Sequence, residues 1–516
     1  MPSPLFARKP ISLLLEEMHG ENRLRRVLGP LSLTSLGVGC VIGAGIFVYA
    51  GVAAHDRAGP SVILSFGVAG VACILAALCY AEFAAMVPVA GSAYTYAYAT
   101  LGELFAWIIG WDLILEYAVG AASVANGWSK YFQNLLAIFD VHIPKLIATA
   151  PLDFDPDVGR IVATGAAVDL LAVIIIAIVT TVLVIGIRES AGVNNAMVIV
   201  KVGIVLMVIA VGAFYVRPSN WHPFAPYGYA GVNLFGRPIL GQEGPGSIPL
   251  GMLAGAAMIF FAYIGFDSVS THAEEARNPQ RDVPIGIIAS LLICTVLYVL
   301  VAAVLTGMVP YQQISVDAPV ANAFQHVGLV WAQLVISIGA VIGITSVLLV
   351  LMLSQPRVWL AMARDGLVPR SFFGAVHPRF RTPWKATILT GVAVGLLSGL
   401  VPLRILAELV SIGTLLAFVI VCVGVLVMRS IDPGAHRPFR APLVPFVPAV
   451  GALLCLLLML SLPPHNWLRL LIWLLIGFVV YFGYGRKHSV MARMRAGETV
   501  APIAGTDESC PMEPEA

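Results

Sequence analysis

Residues 31–51 read LSLTSLGVGCVIGAGIFVYAG, an apolar run long enough to cross a bilayer but interrupted at its centre by Gly43, Ala44 and Gly45. Much later in the chain, residues 250–271 repeat the anomaly in LGMLAGAAMIFFAYIGFDSVST, where Tyr263, Ile264, Gly265, Phe266 and Asp267 fall at mid-depth. A break in a spanning helix frees N–H and C=O groups that lipid cannot satisfy, so something polar must meet them. Two such breaks at corresponding places are a sequence mark of a transporter-type site near the bilayer midplane.

The rest of the chain agrees with a membrane setting. Of its 516 residues, 59% are hydrophobic and only 11% charged, with a mean hydropathy of +0.91, outside the range of soluble domains. Twelve apolar spans are expected, at 31–53, 61–87, 101–135, 163–186, 193–216, 248–272, 284–309, 329–358, 384–402, 404–428, 444–462 and 466–484. Spans 3 and 8 exceed one crossing, which predicts tilt or extension into water. The fold class is therefore all-α and polytopic. Its parts are a cytoplasmic segment over 1–30, one membrane domain over 31–486, and a cytoplasmic tail over 487–516 that is expected to be disordered. No cleavable signal peptide is evident.

Charge sets the orientation. With both termini cytoplasmic, about 21 Lys and Arg lie inside, about 8 outside and one within the membrane, as the positive-inside rule requires. The predicted location is the cytoplasmic membrane, with multiple passes and lipid as the surrounding partner. Charges sorted by side in this way, with a net charge of only +2, do not describe a nucleic-acid binder. Spans 1–5 and 6–10 each open on a broken helix, and five spans per copy force opposite orientations, so an inverted repeat is expected with spans 11 and 12 outside it.

Several residues in the spans carry chemistry. The glycines at 37, 39, 43 and 45 suit either close packing or ligand binding, and the matching break in span 6 favours binding. An unwound stretch offers N–H groups at a positive helix end to a carboxylate and carbonyls at a negative end to an ammonium, the two halves of an α-amino acid head group. Asp267 is a helix cap, a network partner, or both. Lys201 lies about nine residues, or about 13 Å, into span 5, too deep for an easy snorkel. Either it snorkels after all, or it takes oxygens of spans 1 and 8, where the carbonyls of Gly39 and Ile42 and the hydroxyls of Thr345 and Ser346 are the candidates. A proton that leaves and returns at such an ammonium is then the coupling ion.

Glu116 in span 3, with Asp112, is the candidate partner in a proton path, and Glu82 at the inner end of span 2 suits an inner gate with basic loop residues. Phe261, Tyr263 and Phe266 flank the second break as core or as a gate flap. The cysteines show neither metal spacing nor a disulfide framework. No metal-ligand cluster and no nucleophile–base constellation supports an enzyme, and neither cofactor nor metal is expected.

The run Gly37–Phe47 (GVGCVIGAGIF) resembles the first-helix signature of the amino acid, polyamine and organocation transporter superfamily. Residues 76–88 (AALCYAEFAAMVP), 90–94 (AGSAY) and 260–282 (FFAYIGFDSVSTHAEEARNPQRD) resemble its cationic amino acid transporter branch, and the likeness covers most of residues 12–490. The resemblance implies the leucine-transporter-type fold, a 5+5 inverted repeat plus two helices, working by alternating access. It also implies an α-amino acid held between Ile42, Gly43, Ala44 and Gly45 of span 1 and Phe261, Ala262 and Ile264 of span 6. The side chain would face spans 3 and 8 near Ile344, which favours smaller substrates. In proton-coupled bacterial relatives a fifth-span lysine replaces sodium, and Lys201 falls in the matching stretch. Ser32 stands where many members have an acidic residue, and bacterial members of the branch also carry neutral amino acids.

The expected activity is proton-coupled import of an α-amino acid. Its rivals are a facilitator or exchanger without proton coupling and a non-transporting amino acid sensor. The expected partners are the amino acid, protons and lipid; a small membrane partner subunit is compatible with the sequence but not specified by it.

Overall fold

The computed structural model describes residues 6–10, 28–87, 92–155, 160–186, 191–234 and 237–495. Residues 496–516 of the expected disordered tail lie outside the described residues, as do most of segment 1–30 and Pro88, Ala90 and Gly91 of the family-like motif.

Among the described residues twelve apolar spans lie close to the expected positions. Span 1 is Pro30–Val41, a break, and then the contiguous pieces Gly45–Tyr49, Ala50–Ala53 and Ala54–Ala58. Spans 2 to 5 are Val62–Met86, Glu103–Ala137, Leu170–Ile185 and Ala191–Gly212. Span 6 runs Met252–Ile259, tightens into Phe260–Tyr263, breaks, and resumes as Ser268–Thr271. Spans 7 to 12 are Pro279–Met308, Val330–Arg364, Trp384–Leu400, Leu403–Ile431, Phe446–Leu460 and Pro464–Val480. Spans 4, 9 and 11 and the first piece of span 1 are the short apolar helices, and the others are long and apolar enough to cross by themselves. Span 6 is 89% buried against 22% for span 12, so the broken helix is central and the last span peripheral. Three short antiparallel hairpins, 152–163, 232–240 and 242–250, decorate the two loops poor in basic residues.

Packing reveals the repeat that the sequence barely shows. If span n is exchanged with span n+5, the contact of spans 1 and 7 becomes that of 6 and 2, and both exist. Likewise 3 with 9 maps onto 8 with 4, 3 with 10 onto 8 with 5, 2 with 10 onto 7 with 5, and 1 with 5 onto 6 with 10, and every member of each pair is formed. The short helices after spans 2 and 7, Ser92–Thr100 and Pro319–His326, obey the same exchange. The first touches the end of span 6 and the start of span 3; the second touches the end of span 1 and the start of span 8. Two five-span units of opposite orientation, interleaved about one axis, place both breaks together at the centre.

Candidate functional site

Span 1 unwinds because its backbone turns extended at Ile42 (φ −72°, ψ 104°), and span 6 does the same at Ile264 (φ −62°, ψ 140°). Gly265 follows with φ +112°, a conformation L residues rarely adopt, and a Cβ there would come within 2.9 Å of the Cys40 carbonyl oxygen. Gly45 meets the second break directly, since a Cβ on it would collide with the Ala262 backbone. Glycine at these two places lets two broken helices touch.

The breaks leave the groups an amino acid head group needs. Among the described residues, no acceptor is found for the N–H groups of Gly43 and Ala44, and no donor for the carbonyl of Ile42. Buried backbone groups without partners are rare and mark places where something else binds. The neighbouring carbonyls are already met: Val38 by the Ile42 N–H at 2.9 Å, and Val41 and Ala262 by the Tyr298 hydroxyl of span 7, at 2.7 and 3.1 Å. That hydroxyl bridges the ends of both first half-helices.

Lys201 is fully buried and its ammonium donates to the Gly39 carbonyl at 2.6 Å. Its stem packs on Gly343 of span 8, 3.3 Å from where a Cβ would stand. The other expected acceptors require correction. Thr345 donates to the Val341 carbonyl and accepts from the Trp128 indole, Ser346 turns to the Gly343 carbonyl, and no bond to Ile42 is found among the described residues. The lysine thus ties span 5 to span 1 by hydrogen bond and to span 8 by packing.

Glu116 is buried beside Thr414 of span 10, in the field of Asp112 and Asp267. Asp267 stands ahead of the short helix Ser268–Thr271 and accepts from the Tyr117 hydroxyl at 2.9 Å. Among the described residues, neither buried oxygen of Asp112 has a hydrogen-bond partner. Three carboxyl groups therefore converge below the second break.

The aromatic flap divides. Phe261 stacks edge-on to Tyr49 of span 1, ring centroids 4.7 Å apart, and Tyr49 hydrogen-bonds Ser123 of span 3. Tyr263 instead donates to the Phe66 carbonyl of span 2 at 2.8 Å, and Phe266 packs on Phe418 of span 10. Of the three rings, Phe261 is the one that packs against an aromatic side chain of span 1. Ile344 is fully buried in span 8, and Val347, one turn on, is the residue that lies against Gly43.

Charged clasps lie on either side of this centre. On the basic side, Glu82 accepts from Arg429 Nε and Nη2 at 3.1 and 2.7 Å and from the Ala441 N–H at 2.7 Å, with Arg437 Nε 3.3 Å away. On the opposite side Arg57, at the end of span 1, pairs with Glu408 of span 10. Beside it Arg404 holds Asp56 by Nε at 2.8 Å and Nη2 at 3.2 Å. His55, Asp56, Arg57, Tyr311, Arg404 and Glu408 line a cavity of about 310 Å³ there. The sequence reading passed over this second clasp, although Glu408, an acid inside a span, is a signal for it. Tyr298 carries no comparable signal, because only folding brings its hydroxyl to the two breaks.

A family profile for amino acid permeases matches residues 28–490. A branched-chain amino acid permease of Bacillus subtilis (strain 168) is 48% identical over 490 residues, covering 95% of this chain and 99% of the relative. A methylthioribose transporter of the same organism is 46% identical over 489 residues, with the same coverage. A vacuolar cationic amino acid transporter of Arabidopsis thaliana is 39% identical over 431 residues, 83% of this chain and 68% of the relative.

Proposed function

This chain belongs to the amino acid permease family, and we propose that it imports an α-amino acid across the cytoplasmic membrane by proton symport with alternating access. The basic face is cytoplasmic in this reading, as are both termini. One observation carries it above the others: among the described residues the N–H groups of Gly43 and Ala44 and the carbonyl of Ile42 have no partner, and they lie together at the first break. The first two suit a carboxylate and the last an ammonium. A methylthioribose-type ligand, a neutral sugar thioether, carries neither charge and leaves that pairing unused.

The substrate binds at the two breaks, and the half-helices hinge about it, with Phe261 as the flap. Lys201 supports the proton reading because, among the described residues, its ammonium is held by a carbonyl dipole at the end of the first half-helix, a negative helix end that favours a cation. Loss of a proton removes the charge from that hydrogen bond, which weakens the hold on the carbonyl and loosens span 1. Glu116 and its neighbouring acids offer the proton a route.

The test is uptake of labelled alanine and leucine into liposomes holding the purified protein, with and without an imposed proton gradient. Competition by Ala, Leu, Arg, Glu and methylthioribose at two external pH values identifies the substrate. Gradient-driven accumulation in the wild type that is lost in Lys201→Ala is expected. Uptake indifferent to the gradient in both proteins sinks the proton reading. The exchanger reading draws on the same bond, with Lys201 as a fixed pin, and predicts counterflow that acidification leaves unchanged.

A further inference from the structure

Gly391, Gly395 and Gly399 of span 9 face Thr180, Ile176 and Val173 of span 4, so the two helices lie side by side and the start of span 9 stands beside the end of span 4. Each turns an apolar stripe outward. On span 4 the exposed residues are Ile174, Ile178, Val182 and Ile185, and on span 9 they are Ile388, Val392 and Leu396. Steps of three or four residues keep each set on one helix face, and in a spanning helix that face meets acyl chains.

Both stripes stop at the same place. Ile185 is the last residue of span 4, Ile388 is one turn inside span 9, and the loop that joins spans 8 and 9 is fastened between them. Thr382 of this loop donates to the Val184 carbonyl at 2.8 Å. The loop is a built turn: the His377 N–H donates to the Thr382 carbonyl at 2.8 Å and the Arg381 N–H to the His377 carbonyl at 2.9 Å. The N–H groups of Arg379 and Phe380 both meet His377 Nδ1 at 3.2 Å. Arg381 has φ +54°, a left-handed conformation that an arginine keeps only where its surroundings hold it.

The turn is basic and aromatic. Residues 366–385 contain Arg370, Arg379, Arg381 and Lys385 and no acid, and Asp365, just before them, is taken by Lys9 and Tyr94. Arg370 is spent on the end of span 8, where it donates to the Ala363 and Arg364 carbonyls. Arg379 and Arg381 are exposed, and among the described residues no ion pair neutralises them or Lys385. The Arg379 guanidinium stands 5.7 Å from the Phe380 ring, and the Lys385 ammonium 6.0 Å from Phe372 and 5.7 Å from Trp384. Aromatic rings paired with cations suit the headgroup layer, where one side is apolar and the other wet.

We propose that this turn binds an anionic phospholipid, whose phosphate rests on Arg379, Arg381 and Lys385 and whose acyl chains lie along spans 4 and 9. The lipid belongs to the cytoplasmic leaflet in the orientation proposed above, and its binding does not depend on which substrate the protein carries. Basic residues on an inside loop are what orientation alone requires. Orientation does not require a fixed turn, rings beneath the cations, or a position where two acyl-facing stripes end together. A soluble anion would find the same charges and leave the stripes unused. Because the turn is tied to the ends of spans 4, 8 and 9, the bound lipid braces all three.

The experiment titrates the purified full-length protein in detergent with dioleoyl phosphatidylglycerol or dioleoyl phosphatidylcholine, and reads bound lipid by native mass spectrometry and the unfolding temperature alongside. Phosphatidylglycerol is expected to bind the wild type more tightly than phosphatidylcholine and to raise its unfolding temperature further. Near an anionic surface each basic residue is worth about fivefold in affinity, so Arg379→Gln with Arg381→Gln should weaken phosphatidylglycerol binding at least tenfold and leave phosphatidylcholine unchanged. The control replaces Arg440 and Lys487, exposed basic residues outside the turn, by glutamine, and should bind as the wild type does. Inorganic phosphate and glycerol phosphate, which lack acyl chains, should not displace the lipid. The proposal is overturned if the double variant keeps the wild-type affinity, if the control pair loses as much, or if either soluble phosphate displaces the lipid at millimolar concentration. Should the double variant fail to fold, Arg379→Gln alone is expected to lose about fivefold, and an unchanged affinity there overturns the proposal equally.

Discussion

The ammonium of Lys201 reaches the carbonyl of Gly39 across 2.6 Å, within the last turn before span 1 unwinds. A helix end leaves its final carbonyls without intrahelical donors. Here the Val38 carbonyl takes the Ile42 N–H, Gly39 takes Lys201, and Val41 takes Tyr298. The break is held open by residues from three different spans.

Lys201→Met keeps the length of the side chain and deletes its charge. A hydrogen bond to a charged group is worth about 1.5–3 kcal/mol, and its loss strands a buried carbonyl. Uptake driven by an imposed pH jump should fall at least tenfold, while any residual counterflow persists. Liposome flux with and without the jump reads both, and a gradient response equal to wild type contradicts the coupling role.

Tyr298→Phe removes one hydroxyl and almost no volume. Two carbonyls then lose the one O–H they share, at a total cost of about 1–3 kcal/mol if water does not replace it. Because they belong to the two half-helices that flank the site, affinity should suffer more than folding. A severalfold rise in substrate KM with a small fall in thermal stability is expected, and an unchanged KM removes Tyr298 from the site.

The spans, their count and both breaks were legible because hydropathy and glycine placement are local signals that the bilayer makes strict. Gly39 as a partner of Lys201 was legible for a related reason: a charge at mid-depth must find oxygen, and the glycine-rich break is where oxygen is free. Thr345 and Ser346 were not, because a hydroxyl in a helix satisfies itself on a carbonyl one turn back, as both do here. Tyr263 and Phe266 looked equivalent to Phe261 in sequence. The positive φ at Gly265 and the tight turn before it send their rings toward spans 2 and 10 instead. The pairs Tyr298–Val41 and Arg57–Glu408 depend on chain pairing over hundreds of residues, to which periodicity is blind.

Glu82 is 1% exposed and saturated by two arginines and a backbone N–H. Removing one partner of a buried pair strands the other and typically costs about 3–5 kcal/mol. Glu82→Ala, which leaves Arg437 buried, should therefore lower thermal stability in detergent more than Arg429→Ala, whose guanidinium reaches water. Equal effects would mean that the clasp joining spans 2 and 10 is a surface pair.

Asp169 caps the N-terminal end of span 4. Its Oδ1 accepts from the Ala172 N–H at 3.1 Å and the Ser129 hydroxyl at 2.7 Å. Burial pushes its carboxyl up to about 6, against those two bonds and the attraction of Lys130, with Asp317 adding to the rise. The unfolded chain has the ordinary value near 3.8, so between these limits the folded state binds more protons and stability falls as pH rises. The full penalty, about 3 kcal/mol at most, is present above pH 6 and absent below pH 4. Asp169→Asn keeps an acceptor at Oδ1 and cannot ionise. The difference in unfolding temperature between variant and wild type should therefore grow in the variant's favour from pH 4 to pH 6 and level off by pH 7. A flat difference across that range would mean that Asp169 does not hold a costly buried charge at the end of span 4.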